Sequence, residues 1–170
     1  MQITLLNVRL SYPHLFKAQA AQAGGDPKYS AAFILDKKTQ TAQIKALQDA
    51  IESMIKEEKM KVDPDKRCLK DGAVKPDSYG DDVFFVNASN SVRPTVVARD
   101  KSPLAEDDNV IYGGCFVNAV IRLWPQNNQF GRRINASLEV VQFVKDGEPF
   151  GRKPVDVATA LPDLDSDGLD

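Results

Sequence analysis

The sequence predicts a mainly β fold, an antiparallel barrel with one amphipathic helix. Six segments are strand candidates, because they alternate apolar and polar residues or are rich in Val, Ile and Phe. One stretch instead repeats its apolar residues near every 3.6 positions, as a helix does. Strands and helices do not alternate along the chain, which argues against a parallel α/β sheet. With 170 residues, 42% of them hydrophobic, the chain can build one domain with its own core.

The first two strand candidates lie near the N-terminus, and we expect them to pair. Residues 2–12 alternate in polarity, and Pro13 is expected to end this strand because proline donates no ladder hydrogen bond. A glycine-bearing loop over residues 18–27 then leads to the second candidate, residues 29–35.

The helix is expected from Thr39 onward over about five turns, with Asp36 or Thr39 as its N-cap. Its charged residues lie mostly opposite the apolar stripe, as in a helix that packs one side against a core. The stripe comprises Ile44, Leu47, Ile51, Met54 and Ile55. Residues 60–82 are charged and rich in turn formers, so they are expected to form a long loop with little regular structure.

Four further strand candidates follow this loop. They are residues 83–89, 94–99, 115–124 and 130–144. All are rich in Val, Phe and Ile, which suit a pleated, half-buried surface. The last two are expected to form a hairpin, because residues 125–129 between them supply the Pro and Asn that favour turns.

The strand candidate over residues 115–124 has an unusual outer face. Its odd positions are apolar and are expected to face the core, since side chains alternate along a strand. Its even positions are Phe116, Asn118, Val120, Arg122 and Trp124. Bases stack on aromatic and guanidinium planes while phosphates seek cations, so this face is suited to unpaired nucleic acid. In the alternative interpretation, Phe116 and Trp124 cover a second small core beneath the helix.

Further candidate contacts are basic and aromatic residues near strand ends. They comprise two arginines near the hairpin tip, two arginines flanking a strand, and a lysine and two tyrosines that adjoin a Lys-rich loop. An ordinary solvated surface is the alternative interpretation of these charges. The full set of predicted DNA-binding residues is Lys28, Tyr29, Tyr79, Arg93, Arg99, Phe116, Asn118, Arg122, Trp124, Arg132 and Arg133.

Charge is distributed unevenly along the chain, although the net charge is only −2. Residues 155–170 carry five Asp and no Lys or Arg, whereas the first 154 residues carry all 22 basic side chains against 19 acidic ones. The body is therefore +3 and the tail −5. This asymmetry is typical of a nucleic-acid-binding body with a detached acidic segment, and solubility is the alternative cause. We expect a binding domain over residues 1–154 and a disordered acidic tail over residues 155–170.

The sequence offers little that a catalyst or a metal site would need. Its single histidine, His14, has no accompanying nucleophile or phosphate-binding motif. Cys68 and Cys115 lack the spacing of a zinc or redox pair and are expected to be reduced, structural thiols. Two acidic clusters, residues 81–82 and 106–108, are interpreted as solvated loops. We predict no enzyme activity, no cofactor and no bound metal.

The chain also lacks signals for export or membrane insertion. The N-terminus has neither the basic nor the apolar region of a signal peptide, and no apolar run approaches the roughly 20 residues of a membrane span. We predict a cytoplasmic protein, in the host cell, without membrane contact.

Three segments together resemble a family of phage and prophage proteins, long classed as a domain of unknown function and later recognised as single-stranded-DNA-binding. The segments are residues 7–16 (NVRLSYPHLF), 27–34 (PKYSAAFI) and 114–124 (GCFVNAVIRLW). The resemblance extends over about residues 3–151. It implies an oligonucleotide/oligosaccharide-binding (OB) barrel, distantly similar to the replication-associated binding proteins of lytic phages, in which a strand face and its flanking loops hold the nucleic acid.

The resemblance also gives the acidic tail a function. Proteins of that broader kind often carry an acidic C-terminal tail that competes with DNA and recruits replication enzymes. Here the chain ends in Leu169-Asp170 rather than in an aromatic residue, which departs from that pattern.

The predicted function is sequence-independent binding of single-stranded DNA in phage replication or recombination, through base stacking and phosphate contacts. Phage or host replication proteins, bound through the tail, and further copies of the chain are additional candidate partners. The alternative is a protein-interaction or virion-assembly module that uses the aromatic strand face. A third hypothesis is a nuclease whose metal is held by the loop acids.

Overall fold

Seven strands and one α-helix form the part of the chain that this computed structural model describes, residues 1–20, 23–150 and 161–162. The helix, α1, spans Thr41–Glu57. The strands are β1 (Gln2–Gln19), β2 (Lys28–Asp36), β3 (Leu69–Asp71), β4 (Val83–Asn90), β5 (Thr95–Val97), β6 (Phe116–Asn128) and β7 (Gly131–Lys145). The boundary predicted after residue 154 and most of the acidic tail, with the disorder expected of it, lie outside the described residues.

Five of the strands close into a barrel. The sheet order is β3-β4-β2-β1-β6-β7-β5, and β4 also pairs with β7, so β4, β2, β1, β6 and β7 form a ring. Neighbours in the ring are antiparallel except at the closing contact, where Ser89 of β4 pairs with Ser137 of β7 in parallel. The predicted β barrel with one helix is confirmed over the described residues. The parallel contacts β4–β7 and β5–β7 depart from the expected antiparallel pattern.

The inward-facing residues of the five strands fill the barrel. The residues of β6 that were predicted to face inward are all buried, and so is Cys115, which immediately precedes the strand. The four in β6 are Val117, Ala119, Ile121 and Leu123. The helix packs its apolar stripe on the same core, through Ile44, Leu47, Ile51 and Met54. Each such side chain contributes about 1.5 to 3 kcal/mol when fully buried, so packing on the barrel stabilises the helix. No helix among the described residues is long and apolar enough to cross a membrane.

Strand β1 continues past Pro13, so the predicted strand end was wrong. Its pairing with β6 stops at Arg9, and its register on β2 shifts between Ser11 and His14. Tyr12 and Pro13 therefore lie in a bulge, where Tyr12 has a φ of +47°. Proline is tolerated there because the bulge interrupts the ladder that would need its missing N–H.

The β6–β7 hairpin turns later than expected. β6 continues through Pro125, and the turn is formed by residues 129–130 instead of the predicted residues 125–129. The N–H of Leu123 donates to the carbonyl of Met1 at 2.8 Å. Backbone nitrogens two residues apart in a strand face the same side, so the nitrogen of Pro125 also faces the β1 side of β6. It lies beyond the first residue of β1, where there is no acceptor on that strand. Proline is tolerated at this position because no neighbouring strand needs the missing donor.

The start of α1 and the loop after it also differ from the prediction. The N-cap residue is Gln40, and it makes no side-chain cap bond. The carboxylate of Asp36 instead accepts hydrogen bonds from the backbone N–H groups of Lys38 and Thr39, at 2.7 and 3.0 Å, so neither predicted residue caps the helix. The loop expected over residues 60–82 contains β3, which pairs with the free edge of β4.

Candidate nucleic-acid interface

A groove of about 790 Å³ crosses the side of the barrel where β2 and β4 lie together. Residues of β1, β6 and β7 also line it, as do residues between positions 66 and 79. β2 and β4 are the second and third strands of the barrel along the chain. In OB barrels this strand face and its flanking loops bind oligonucleotides, so the groove occupies the position where such barrels hold ligands.

The centre of the groove is lined by small, outward-facing side chains of β2 and β4. Ser30 lies opposite Ser89, and Ala32 lies opposite Asn87. Because residues paired across two strands share one face of the sheet, these four side chains form a continuous surface. Their small size leaves room for planar groups, and their hydroxyl and amide groups can form hydrogen bonds.

Tyr79 is fixed at the edge of this surface. Its ring packs on Phe85 with a centroid separation of 4.5 Å and an interplanar angle of 30°. Its hydroxyl lies 3.1 Å from the hydroxyl of Ser11. Burial raises the pKa of Tyr79, and the hydrogen bond to Ser11 opposes part of that rise. The phenol therefore stays neutral at physiological pH, and the side chain lines the groove.

Two further aromatic side chains line the groove and are more open to solvent. Tyr12 is 62% exposed and projects from the bulge in β1. Trp124 is 41% exposed and lies on the outer face of β6, as strand alternation predicted. Neither Trp124 nor Phe116 belongs to the hydrophobic core, which argues against the alternative in which both rings cover a second core.

Basic side chains surround these rings. The groove is lined by Lys28, Lys66, Arg67, Lys70, Lys75 and Arg133, and its described lining contains no Asp or Glu. Two of the six are engaged elsewhere, since Arg67 bonds Glu52 at 2.5 Å and Lys66 lies 3.8 Å from Asp65. The other four form no ion pair with any residue that the structure describes. They are available to bind an anion.

The cations lie close enough to affect one another. The pKa of Lys70 is lowered, first because burial penalises its charge and then because Lys75 and Arg133 repel it. A phosphate in the groove would relieve this repulsion by favouring the charged form of Lys70. The groove is thus electrostatically prepared for an anionic ligand.

The segment that carries Lys75 and Tyr79 is held against the barrel by a network around Asp71. This carboxylate accepts the backbone N–H of Ala73 at 2.9 Å and the ammonium of Lys37 at 2.9 and 3.0 Å. At Gly72 a Cβ atom would lie 2.2 Å from the carbonyl oxygen of Gly80, so only glycine fits this close approach. These contacts hold the segment, and the N–H of Tyr79 donates to the carbonyl of Lys75 within it at 2.9 Å.

Four of the predicted DNA-binding residues meet in the groove. They are Lys28 from β2, Tyr79 from the segment before β4, Trp124 from β6 and Arg133 from β7. The first and the last of them, Lys28 and Arg133, are more than 100 positions apart in the sequence, and closure of the barrel brings them together.

The structure places the other predicted residues on different surfaces. Phe116 and Asn118 lie at the other end of β6 from Trp124. Phe116 is eight residues from Trp124, which corresponds to about 26 Å at ~3.3 Å per residue. Asn118 accepts the N–H of Asn7 at 2.9 Å and donates to Gln142 at 3.1 Å.

The remaining five lie outside the groove as well. Arg122 is exposed and lies 3.8 Å from Glu139, and Tyr29 has the opposite strand phase to Lys28. Arg93 lies 5.5 Å from the ring centroid of Phe16, Arg99 donates to the carbonyl of Val144, and Arg132 is near the hairpin tip. Their roles in DNA binding stay predictions.

Several residues that line the groove were not predicted from the sequence. Tyr12 and His14 were overlooked because Pro13 was taken as the end of the first strand. The basic residues between positions 66 and 75 were noticed only as an adjoining loop, although this stretch has four cations and one acid. That local excess of positive charge was the signal available for them.

The described residues contain no group of three or more His, Cys, Asp or Glu side chains that could hold a metal ion. Burial raises the pKa of the Cys68 thiol to about 11, and it also raises the pKa of Cys115. Thiolates are the form that binds metals and attacks electrophiles, so both side chains are inert at neutral pH.

Known phage proteins are similar to this chain along most of its length. The family model of the single-stranded-DNA-binding protein of Enterobacter phage Enc34 matches residues 1–163. Protein p50 of Acyrthosiphon pisum secondary endosymbiont phage 1 is 36% identical over 162 residues, which cover 88% of this chain and 86% of p50.

Solved structures show the same similarity. The Enc34 single-stranded-DNA-binding protein in complex with single-stranded DNA is 40% identical, with a TM-score of 0.81 over 88% of this chain and 89% of that one. The gp2.5 single-stranded-DNA-binding protein encoded by bacteriophage T7 is 16% identical and shares the fold, with a TM-score of 0.60 over 95% of this chain and 97% of that one.

Proposed function

Because this chain belongs to the family of the Enterobacter phage Enc34 single-stranded-DNA-binding protein, we propose that it binds single-stranded DNA in the groove across β2 and β4. Binding does not depend on base sequence. The protein coats single strands during phage DNA replication or recombination, where it protects them and removes hairpins.

The observation that carries this proposal is the composition of the groove. Three aromatic side chains, Tyr12, Tyr79 and Trp124, lie among basic residues, and no carboxylate is present in the described lining. Every base has a face that stacks on an aromatic ring, with a contribution of roughly 1 to 3 kcal/mol per base. Basic side chains bind the phosphates of the DNA backbone whatever the base sequence is. This combination suits an unpaired strand, whose bases are free to stack.

We further propose that the protein acts by binding alone, in the cytoplasm of the infected cell, without a cofactor. The inert thiols of Cys68 and Cys115 and the lack of a metal-ligand group among the described residues support this. Labelled single-stranded DNA incubated with the protein and magnesium should keep its length on a denaturing gel. Shortened products would favour the nuclease hypothesis.

The acidic tail is proposed to compete with DNA and to present a docking segment for replication proteins. Its opposite charge to the body supports this, and so does the position of Phe150, which precedes it in the sequence. Phe150 lies beneath the guanidinium of Arg9 at 4.0 Å and donates its N–H to the carbonyl of Gly113 at 3.0 Å. A Cβ at Gly113 would lie 3.7 Å from Pro13, the neighbour of Tyr12 in the groove. Phe150, five residues before residue 155, is therefore held close to the groove.

Titration of labelled oligo-dT at a series of salt concentrations tests the proposed function. If the four unpaired cations each contact a phosphate, the logarithm of the binding constant should fall with the logarithm of salt with a slope of about −3, at −0.7 per contact. No binding at micromolar protein, or a flat salt dependence, would refute the proposal.

A matched pair of variants locates the interface. Lys28→Gln with Arg133→Gln removes two cations from the groove and should reduce the slope by about 1.4. Lys45→Gln with Lys56→Gln makes the same change in charge on the exposed side of α1 and should leave the slope nearly unchanged. Equal effects of the two pairs would show that only net charge matters.

A further inference from the structure

The tip of the β6–β7 hairpin presents an aromatic side chain that does not line the groove. Phe130 is 76% exposed, more than any other large apolar side chain that the structure describes. A ring in this position adds little to the stability of the fold, since apolar side chains stabilise through the area they remove from water. Its surroundings indicate a ligand.

The turn that carries Phe130 is ordered by hydrogen bonds. The side-chain oxygen of Asn128 accepts the backbone N–H of Phe130 at 2.9 Å and the side-chain amide of Gln126 at 3.3 Å. Gly131 closes the turn with a φ of +119°, which residues with a side chain rarely adopt. Phe130 is therefore held at a defined position at the end of a rigid hairpin.

The hairpin connects this ring to the groove. Gln126 and Arg133 are paired across the hairpin and both line the groove. Phe130 lies in the turn, three residues before Arg133, so it is about 10 Å or less from that pair along the strand direction, at ~3.3 Å per residue. Residues 124–138 contain Arg132 and Arg133 but no acidic side chain. A phosphate backbone leaving the groove along the hairpin would pass one arginine on each face of β7 and no carboxylate.

We propose that Phe130 is a second stacking site, which binds a base outside the groove on strands long enough to reach the hairpin tip. This inference rests on the proposed function of the groove. The arginines favour nucleic acid as the occupant over a second protein surface, because they attract the phosphates next to the stacked base. The footprint of the protein on DNA is then longer than the groove itself.

Oligo-dT of increasing length tests the proposal, from roughly 4 to 16 nucleotides, the range of site sizes of OB domains. For the shortest oligonucleotides to which the natural protein binds, Phe130→Ala should have the same affinity as the natural protein. On the longest it should bind roughly 5- to 150-fold more weakly, which is the effect of losing one base–ring stack. Phe130→Tyr keeps the ring and should retain the affinity.

A fluorescent variant reports the contact directly. Trp124 is the single tryptophan of the chain, so Phe130→Trp combined with Trp124→Phe places the only indole at the hairpin tip. Long oligo-dT should quench its fluorescence, whereas short oligo-dT should not. In the affinity measurements, Val92→Ala is the control for Phe130→Ala. Val92 is also an exposed apolar side chain, at 68%, but it lies outside both the groove and the hairpin.

The outcomes separate this inference from the function on which it rests. Failure of the natural protein to bind any oligonucleotide overturns both. Normal binding by the natural protein, with Phe130→Ala unchanged at every length or weakened equally at every length, overturns only the second stacking site. A shift of the DNA-free protein to a smaller sedimentation coefficient in Phe130→Ala would show instead that the ring joins two copies of the chain.

Discussion

Trp124→Ala should weaken the binding of single-stranded DNA and leave the barrel folded. Trp124 lines the groove and is 41% exposed, so part of its indole is available to a base in the free protein. Losing one base–aromatic stack costs roughly 1 to 3 kcal/mol, which raises the dissociation constant roughly 5- to 150-fold.

The cost to stability can be bounded from the same exposure. A tryptophan buries roughly 150 to 250 Å² when covered, and about six-tenths of this side chain is out of contact with water. At about 25 cal/mol per Å², its removal destabilises the fold by about 2 to 4 kcal/mol as an upper limit. Domains of this size are stable by about 5 to 15 kcal/mol, so the variant should remain folded at 25 °C.

Two assays measure these effects separately. Quenching of intrinsic fluorescence by oligo-dT in the natural protein reports stacking on the indole, because Trp124 is the single tryptophan. Anisotropy of labelled oligo-dT gives the affinity of each variant, and thermal unfolding followed by circular dichroism gives its stability.

Arg122→Ala is the control that can refute the assignment of the groove. Arg122 lies on the same strand face, two residues before Trp124, but outside the groove and 3.8 Å from Glu139. We expect little loss of DNA affinity, because Arg122 lies outside the groove, and little loss of stability, because an exposed pair of this kind contributes about 0 to 1 kcal/mol. Equal losses in the two variants, or full affinity in folded Trp124→Ala, would place the DNA elsewhere.

Two further predictions concern the tail and the pH dependence of binding. Deletion of residues 155–170 should tighten binding on the order of tenfold at low salt, because five negative charges no longer compete for the cations. Replacing the five Asp by Asn should have the same effect, and unchanged affinity in both variants would leave the tail a solvating or partner-docking segment. Affinity should also fall as pH rises toward the ordinary lysine pKa of 10.5, since the pKa of Lys70 is lowered and its deprotonation removes a phosphate contact. Lys70→Arg should hold its affinity to higher pH in the same titration because guanidinium stays charged, and identical pH profiles would exclude Lys70 as the titrating group.

Local patterns in the sequence were sufficient for the main elements. The alternation along β6 predicted which side chains are buried and that Trp124 faces outward, because the direction of a side chain in a strand depends only on its position parity. The stripe from Ile44 to Met54 predicted the helix for a similar reason, since its period is a property of neighbouring residues. Charge along the chain likewise predicts a basic body and an acidic tail.

The groove could be assembled only by the tertiary structure. Parallel closure between Ser89 and Ser137 depends on residues 48 positions apart, and no local pattern records such a contact. Tyr12 enters the groove because a bulge, formed by a shift of register against another strand, turns β1 at Pro13. Tyr79 is held by Ser11, 68 positions earlier.

The same distinction explains which predicted binding residues meet. Phe116 and Trp124 share a strand face, and sequence reasoning grouped them on that ground, yet a strand extends far enough to separate them by about 26 Å. Lys28 and Arg133 are distant in sequence but line one groove because β2 and β7 both flank β4. Parity and period are set by adjacent residues and were predictable, whereas the grouping of rings and cations is set by barrel closure and was not.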